Sequence, residues 1–181
     1  MRVIAGEARG KPLKAPKAIR PTTDLVKGAI FSMLEALGGS WDRVLDLYAG
    51  SGALGIEALS RGANWVDFVE REPRSCAAIK DNLESTGYAE FSHVYCTPVK
   101  RALGFLEGNY DLVLMDPPYN VPALEDLVGE VALSPRVKEG SLLVVAHSSR
   151  TPLPSRFERV MKLKDRQHGD TSISIYRKEA A

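Results

Sequence analysis

Apolar positions recur along the chain in two alternating rhythms. Over residues 22–37, "TTDLVKGAIFSMLEAL" places Val26, Ile30, Met33, Leu34 and Leu37 on one face of a helix. Thr22 or Thr23 can cap it, Asp24 sits in the first turn where the helix dipole favours negative charge, and Gly38-Gly39 stops it. From Arg43 onward, short apolar runs alternate with helical stretches. Strands are predicted at "RVLDLY", "WVDFVE", "FSHVYC", "YDLVLMD" and "SLLVVAHS", with helices over 53–61, 74–86, 98–107 and 122–133. Runs such as "LVLM" and "LLVV" lack the polar alternation of a solvated sheet face, as parallel strands covered on both sides do. The pattern predicts a three-layer α/β sandwich. Two later strand candidates, 157–164 and 171–177, flank the polar turn "DRQHGD" and predict an antiparallel hairpin at one edge. The first 20 residues mix short apolar and basic positions with Gly6, Gly10, Pro12 and Pro16, which suits a small hairpin or a flexible extended arm.

A length of 181 residues with 44% hydrophobic content suffices for one full core. The expected organisation is a basic hairpin or arm and helix over 1–40, packed on a main domain over 41–181. The net charge of +1 argues against a uniformly basic nucleic-acid binder, but it conceals an asymmetry. Residues 1–27 hold seven Lys or Arg against two acids, and the remainder is mildly acidic. A basic end of this kind is the footprint of a protein that seeks phosphate, with Arg2, Arg9, Lys11, Lys14, Arg20 and Lys27 as candidate RNA contacts. Cys76 and Cys96 are the two cysteines and are expected to be separate buried thiols rather than a disulfide. The opening residues lack a signal-peptide core and no apolar run approaches 18 residues, so a soluble cytoplasmic protein is expected, with no membrane partner.

"DLYAGSGALG", from Asp46 to Gly55, connects the first predicted sheet strand to a helix. Gly50 and Gly52 permit a tight turn and close approach of a ligand to the backbone. The spacing is not that of a phosphate-binding P-loop, and Asp46 would repel a pyrophosphate. A carboxylate there suits a ligand with a cationic amino-acid end. Glu70 ends the second strand 18 residues beyond Gly52, where an acidic side chain accepts hydrogen bonds from ribose hydroxyls. Together these residues favour S-adenosylmethionine over NAD. The bland alternative is a tight strand-to-helix turn and a solvated strand end. Thr97 and Pro98 stand where an adenine ring would be bounded, and Ala49, Ser51 and Arg71 complete the candidate cofactor set.

Asp116-Pro117-Pro118-Tyr119 follows the fourth strand, on the same rim as the glycine loop. Two prolines fix the backbone and remove two amide donors, leaving the Asp116 carboxylate and the neighbouring carbonyls as an acceptor-only surface. Such a surface suits a planar exocyclic amine, which Tyr119 could stack against. The implied chemistry is in-line methyl transfer from a sulfonium to that amine, helped by positioning and electrostatics. The same aspartate also belongs to the candidate cofactor set.

"DLYAGSGALGIEALSRGA", "DPPYN", "MRVIAGEARGKPL", "RPTTD" and "HGDT" occur in order along the chain, which with them resembles the bacterial 16S ribosomal RNA guanine-N2 methyltransferase D family. The resemblance implies a Rossmann-like class I S-adenosylmethionine-dependent methyltransferase, with a mostly parallel seven-stranded sheet, helices on both faces, and a small N-terminal hairpin and helix. It implies that Asp46, Gly50, Gly52 and Glu70 bind the cofactor and that Asp116, Pro117, Pro118 and Tyr119 hold the target guanine. Arg20, Pro21, Thr22, Thr23 and Asp24 would form an element beside the active site, with Thr22 and Thr23 toward RNA. The implied partner is 16S rRNA in the small ribosomal subunit; the short single domain with one arm suits a monomer. Where the family commonly carries Arg-Glu after this element, the chain has Lys27-Gly28. Where it often reads Tyr-Gly-Asp-Thr, the chain has His168-Gly169-Asp170-Thr171. Two rivals stay open: an adenine-amine methyltransferase, which the same motif would serve, and a non-catalytic RNA-binding assembly factor.

No His or Cys cluster has metal-ligand spacing, so no metal is expected. His93 reads as structural or surface, and His147, at the end of the fifth strand, is the histidine candidate for a substrate contact. Trp41 and Trp65 each lead into a strand and read as packing residues.

Overall fold

The computed structural model describes residues 1–17 and 22–181. Within them, α1 (Asp24–Ala36) precedes β1 (Arg43–Leu47), α2 (Ala53–Ser60), β2 (Trp65–Glu70), α3 (Pro73–Thr86), β3 (Ser92–Cys96), α4 (Val99–Phe105) and β4 (Tyr110–Met115). Then come α5 (Leu124–Ala132), β5 (Val137–Ser148), β6 (Arg156–Phe157), β7 (Val160–His168) and β8 (Thr171–Lys178). The strands form one sheet in the order β3-β2-β1-β4-β5-β8-β7-β6. The first five of these are parallel, β8 runs antiparallel to β5, and β7 and β6 continue antiparallel. Strand order reverses between β1 and β4, which is where open α/β sheets bind ligands, beyond the carboxyl ends of the strands.

The period of two along a strand divides the core. Val44, Leu112, Leu114 and Val144 face a cluster built with Ile30, Phe31 and Leu34 of α1 and with Ile56 and Ile79 of α2 and α3. Leu45, Val113, Met115 and Val145 face the opposite cluster, built with Val99 and Ala102 of α4 and Val128 and Val131 of α5. The apolar runs therefore lack alternation because both faces are covered. Gly55 makes the α2 packing close, since a Cβ there would stand 2.3 Å from the Phe68 ring.

Several expectations change. The sheet has eight strands among the described residues rather than seven, the extra one being the two-residue β6. "DRQHGD" is mostly strand: Asp165–His168 pair with Thr171–Ser174, and the turn shrinks to Gly169-Asp170. Its polarity marks a solvated ribbon rather than a loop. β5 starts at Val137, ahead of the apolar run, because Val137 pairs with Tyr110 before the register shifts.

The N-terminal segment is a packed hairpin rather than a flexible arm. Arg2 bridges Pro12, Val3 N–H donates to Lys11 O at 2.9 Å, and Val3, Ala8 and Leu13 are buried in the α1 to α3 cluster. The hairpin is fastened to α2. Ile4 and Ala5 N–H groups donate to the Glu57 carboxylate at 2.9 and 3.1 Å, and Ala8 N–H donates to Ser60 Oγ at 2.9 Å. Gly6, at φ 83°, is required by this contact: a Cβ would lie 1.9 Å from Ser60 O.

The cysteines also depart from expectation. Cys76, in the first turn of α3, is bonded to Cys96 at the end of β3, with Cα atoms 6.0 Å apart. Sequence separation concealed this, because parallel pairing of β3 with β2 places Cys96 beside Glu70, onto whose carbonyl Cys76 also folds. Trp41 packs edge-on against Phe31, with centroids 5.8 Å apart, while Trp65 donates its indole N–H to Asp67. Among the described residues, no helix is long and apolar enough to cross a membrane, and no group of three or more His, Cys, Asp or Glu could hold a metal ion.

Candidate active site

Three strand ends meet where the sheet order reverses. Beyond Leu47 the chain turns through Tyr48 (φ 55°), Gly50 (φ 59°) and Gly52 (φ 81°) before α2 begins. Positive φ is ordinary for glycine but costly for tyrosine, and such strain gathers at functional sites. Glu70 braces the turn: one carboxylate oxygen accepts from Gly50 N–H and the other from Glu72 N–H, both at 2.9 Å. The loops after β1 and β2 are thereby joined.

A cavity of about 1050 Å³ opens at this junction. Gly50, Glu70, Arg71 and Pro98 line one side, and Asp116, Pro117, Pro118 and Tyr119 another. Thr22, Thr23 and Val26, at the start of α1, close a third side, and Thr171 reaches in from β8. Thus the cavity wall as a whole includes half of the candidate cofactor residues and all of the Asp-Pro-Pro-Tyr segment.

Asp46, Ala49, Ser51, Gly52 and Thr97 are not part of that wall. Asp46 lies behind it, 1% exposed, its Oδ2 accepting from Gly55 N–H at 3.0 Å. Burial pushes its carboxyl well above the usual range, the Asp116 and Glu70 charges push the same way, and the Gly55 hydrogen bond opposes them. Its visible task is to hold the start of α2 against β1. Ser51 O accepts from the buried Asn82 side chain, and Thr97 N–H bonds to Glu70 O, so both organise the loops rather than face the opening.

Asp116 and Tyr119 are each held by a hydroxyl from far along the chain. Thr22 Oγ1 donates to Asp116 Oδ2, and the Tyr119 and Thr171 hydroxyls share a hydrogen bond. Thr23 caps α1, accepting from Val26 N–H at 3.2 Å. Sequence reasoning did not choose Tyr48 or Thr171 as site residues. Tyr48 lies within the quoted glycine loop and Thr171 ends the quoted "HGDT", so each had a signal, but only the fold brings them to the cavity. Burial pushes the Tyr48 hydroxyl up to about 12, with the Glu130 charge adding and Arg71 opposing.

Of the candidate RNA contacts, Arg2, Arg9, Lys11 and Lys14 are exposed on the hairpin. Arg20 and Pro21 lie outside the described residues. Lys27 is corrected: it is fully buried, its ammonium 3.3 Å from Glu57 and donating to Arg2 O at 2.7 Å. A lysine so placed joins hairpin, α1 and α2 and cannot reach a phosphate. Three cations not chosen for RNA contact line the cavity: Arg71, Arg74 and Lys100. His147 is buried, with Nε2 bonded to Ser174 Oγ and Nδ1 near the carbonyls of Ser148 and Thr151. It supports the β5–β8 seam, and its burial pushes its pKa down.

The family described as conserved hypothetical protein 95 matches residues 1–177. The chain belongs to this family. It is 36% identical over 185 residues to a Bacillus subtilis protein carrying the provisional name of rRNA methyltransferase YlbH, covering 98% of this chain and 99% of that one. It is 31% identical over 187 residues to the ribosomal RNA small subunit methyltransferase D of Haemophilus influenzae, covering 97% of this chain and 93% of the relative. A solved Escherichia coli structure provisionally titled methyltransferase yhhF superposes with a TM-score of 0.84 at 28% identity, covering 100% of this chain and 99% of that one. The family's fold here is the Rossmann-like methyltransferase fold.

Proposed function

We propose that this chain, as a cytoplasmic monomer, transfers a methyl group from S-adenosylmethionine to the exocyclic N2 amine of one guanine in 16S rRNA of the assembled small subunit. One observation carries the reading: Asp116 to Tyr119 open into the same cavity as Gly50 and Glu70. The names of relatives that act on ribosomal RNA support the substrate class. Exposed cations at the cavity and on the hairpin suit a polyanion. In this reading residues 1–40 guide RNA to the methyltransferase domain of 41–181.

The residues fit the cofactor. A carboxylate oxygen accepts more than one hydrogen bond, so Glu70 can brace Gly50 and Glu72 and still receive a ribose hydroxyl. Glu70 and Asp116 both line the wall, which favours a phosphate-free, cationic ligand over a dinucleotide. Arg71 and Pro98 would flank its base. When bound, S-adenosylmethionine supplies an electrophilic methyl group on a positively charged sulfur.

The chain's own part is to present the amine. An exocyclic aromatic amine is a weak nucleophile because its lone pair is delocalised. Asp116 and the Pro117 carbonyl accept its two hydrogens, which turns the nitrogen toward the methyl group and favours the positive charge that develops there. Prolines at 117 and 118 place no competing N–H at this surface. Thr22 fixes the Asp116 carboxylate. Asp116 is an orienting acceptor, and the proton leaves to solvent after transfer.

The test is transfer of radiolabelled methyl to undermethylated small subunits, naked 16S RNA and duplex DNA, with nucleoside analysis. N2-methylguanosine at one site in the subunits is the expected result. N6-methyladenine would reassign the target, and cofactor binding without transfer would favour the assembly-factor reading. Asp116→Ala is expected to leave cofactor binding largely intact, because Glu70 and Gly50 remain in the wall, while lowering transfer.

A further inference from the structure

The proposed reaction needs Tyr119 to stand in one plane, yet the residue occupies the irregular segment between β4 and α5. Neighbouring Pro118 and Asn120 are exposed, and the backbone of this segment is crossed by a Val121 N–H to Pro118 O bond at 3.1 Å. A tyrosine in such a loop can turn about two side-chain torsions, and the Pro-Pro pair stiffens only the backbone.

Thr171 supplies a fixed point for the far end of the ring. It is the first residue of β8, 6% exposed, and pairs with Ser148 at the end of β5. Ser149 N–H donates to Asp170 O at 2.9 Å, so the turn before Thr171 is tied to the same strand end. From this rigid seam its hydroxyl meets the Tyr119 hydroxyl, and both residues line the cavity. The contact joins residues 52 apart in sequence.

We infer that Thr171 is a positioning residue that acts through Tyr119, holding the ring in the plane that stacks on the target base. This rests on the methyl-transfer reading and deepens it. It also assigns a task to "HGDT": Gly169-Asp170 makes the turn that delivers Thr171 to the cavity, while His168 pairs across the hairpin. A hydroxyl is required there and the rest of the side chain is not, so valine keeps the shape and loses the bond. RNA affinity resides largely in phosphate contacts elsewhere, so the loss falls on kcat rather than KM.

The experiment compares Thr171→Val, Thr171→Ser, Tyr119→Phe and the double variant Thr171→Val/Tyr119→Phe in the full chain. Methyl transfer to small subunits, cofactor Kd by calorimetry, and NMR of tyrosines labelled at Cζ are recorded for each. Thr171→Val and Tyr119→Phe are each expected to lower kcat about tenfold, the scale of one lost hydrogen bond. The double variant should fall no further, since both changes remove one bond. Thr171→Ser should restore the rate with unchanged cofactor Kd. The Cζ signal that vanishes in Tyr119→Phe should shift in Thr171→Val. Additive losses, no rescue by serine, or an unmoved Cζ signal would each overturn the proposal. Should Thr171→Val fail to fold, an undiminished rate in Tyr119→Phe would overturn it alone. Absence of wild-type transfer to any RNA would instead count against the functional reading, while the Cζ signal still reports on the hydroxyl pair.

Discussion

Two buried charged residues show how the environment decides a side chain's task. Asp46 is 1% exposed and its carboxyl is pushed well above its ordinary value, first by burial and then by Asp116 and Glu70. A folded pKa above the unfolded one means that, as pH rises past about 4, the unfolded state loses a proton that the folded state keeps. Stability therefore falls with rising pH through that window. Asp46→Asn retains an oxygen for Gly55 N–H and cannot ionise. The melting temperature of Asp46→Asn relative to wild type is expected to climb from pH 4 to pH 7, as scanning calorimetry would read. Glu57, equally buried, is surrounded by donors and cations. Its buried carboxylate receives Ile4 and Ala5 N–H, Arg61 at 2.8 Å and Lys27, so Glu57→Gln removes the buried counter-charge of the Lys27 ammonium. The expected cost is about 3–5 kcal/mol in denaturant unfolding. Asp116, Gly50 and Glu70, which local motifs single out, do line one cavity. Lys27 was misread although Lys27, Phe31 and Leu34 follow the helical spacing of the buried stripe. Its partner lies thirty residues away on α2, so nothing local marked it as paired.

Elements whose pattern is local were legible, and those that depend on a partner were not. The helices and parallel strands appear within a few residues of where periodicity places them, because each buried face repeats at its own period. The β7–β8 ribbon was shortened because its polar half is stabilised by backbone pairing, which leaves no apolar trace. Hairpin and arm stayed undecided in the sequence because the partner that packs this segment, α2, comes fifty residues later. The Cys76–Cys96 bond belongs to the same class, joining α3 to β3 beside the Glu70 turn. Closing a loop of this length removes about 3 kcal/mol of unfolded-state freedom. Reduction is accordingly expected to lower the melting temperature by roughly 6–12 °C, at about 2–4 °C per kcal/mol for a chain of this size. Calorimetric scans with and without reductant, and of Cys96→Ser, test this. An unchanged midpoint would show that the bond contributes nothing to stability.

For the whole molecule, the packed hairpin changes what the basic end can do. Arg2, Arg9, Lys11 and Lys14 project from a segment whose Val3, Ala8 and Leu13 are in the core, so their charges are held in place rather than carried on a tether. The hairpin is joined through Glu57 and Lys27 to α1, whose first turn lines the cavity and is preceded by Thr22, which holds Asp116. In the proposed reading, a rigid connection of this kind would set a fixed distance between phosphate contacts on the hairpin and the base held at Asp116. Charge reversal of Arg9, Lys11 and Lys14 together should thus weaken RNA binding without changing cofactor Kd. Each lost contact should reduce the slope of log K against log salt by about 0.7–0.9. Rate at saturating RNA should persist, because the reacting groups are untouched. Had the segment been a flexible arm, high RNA concentration would likewise restore the rate, but single charge reversals would be interchangeable. On a rigid hairpin they should differ, with the cation aimed at a phosphate dominating. Filter binding of each single variant over a salt series separates the two cases, and equal small effects from all three would argue that the hairpin does not dock as one body.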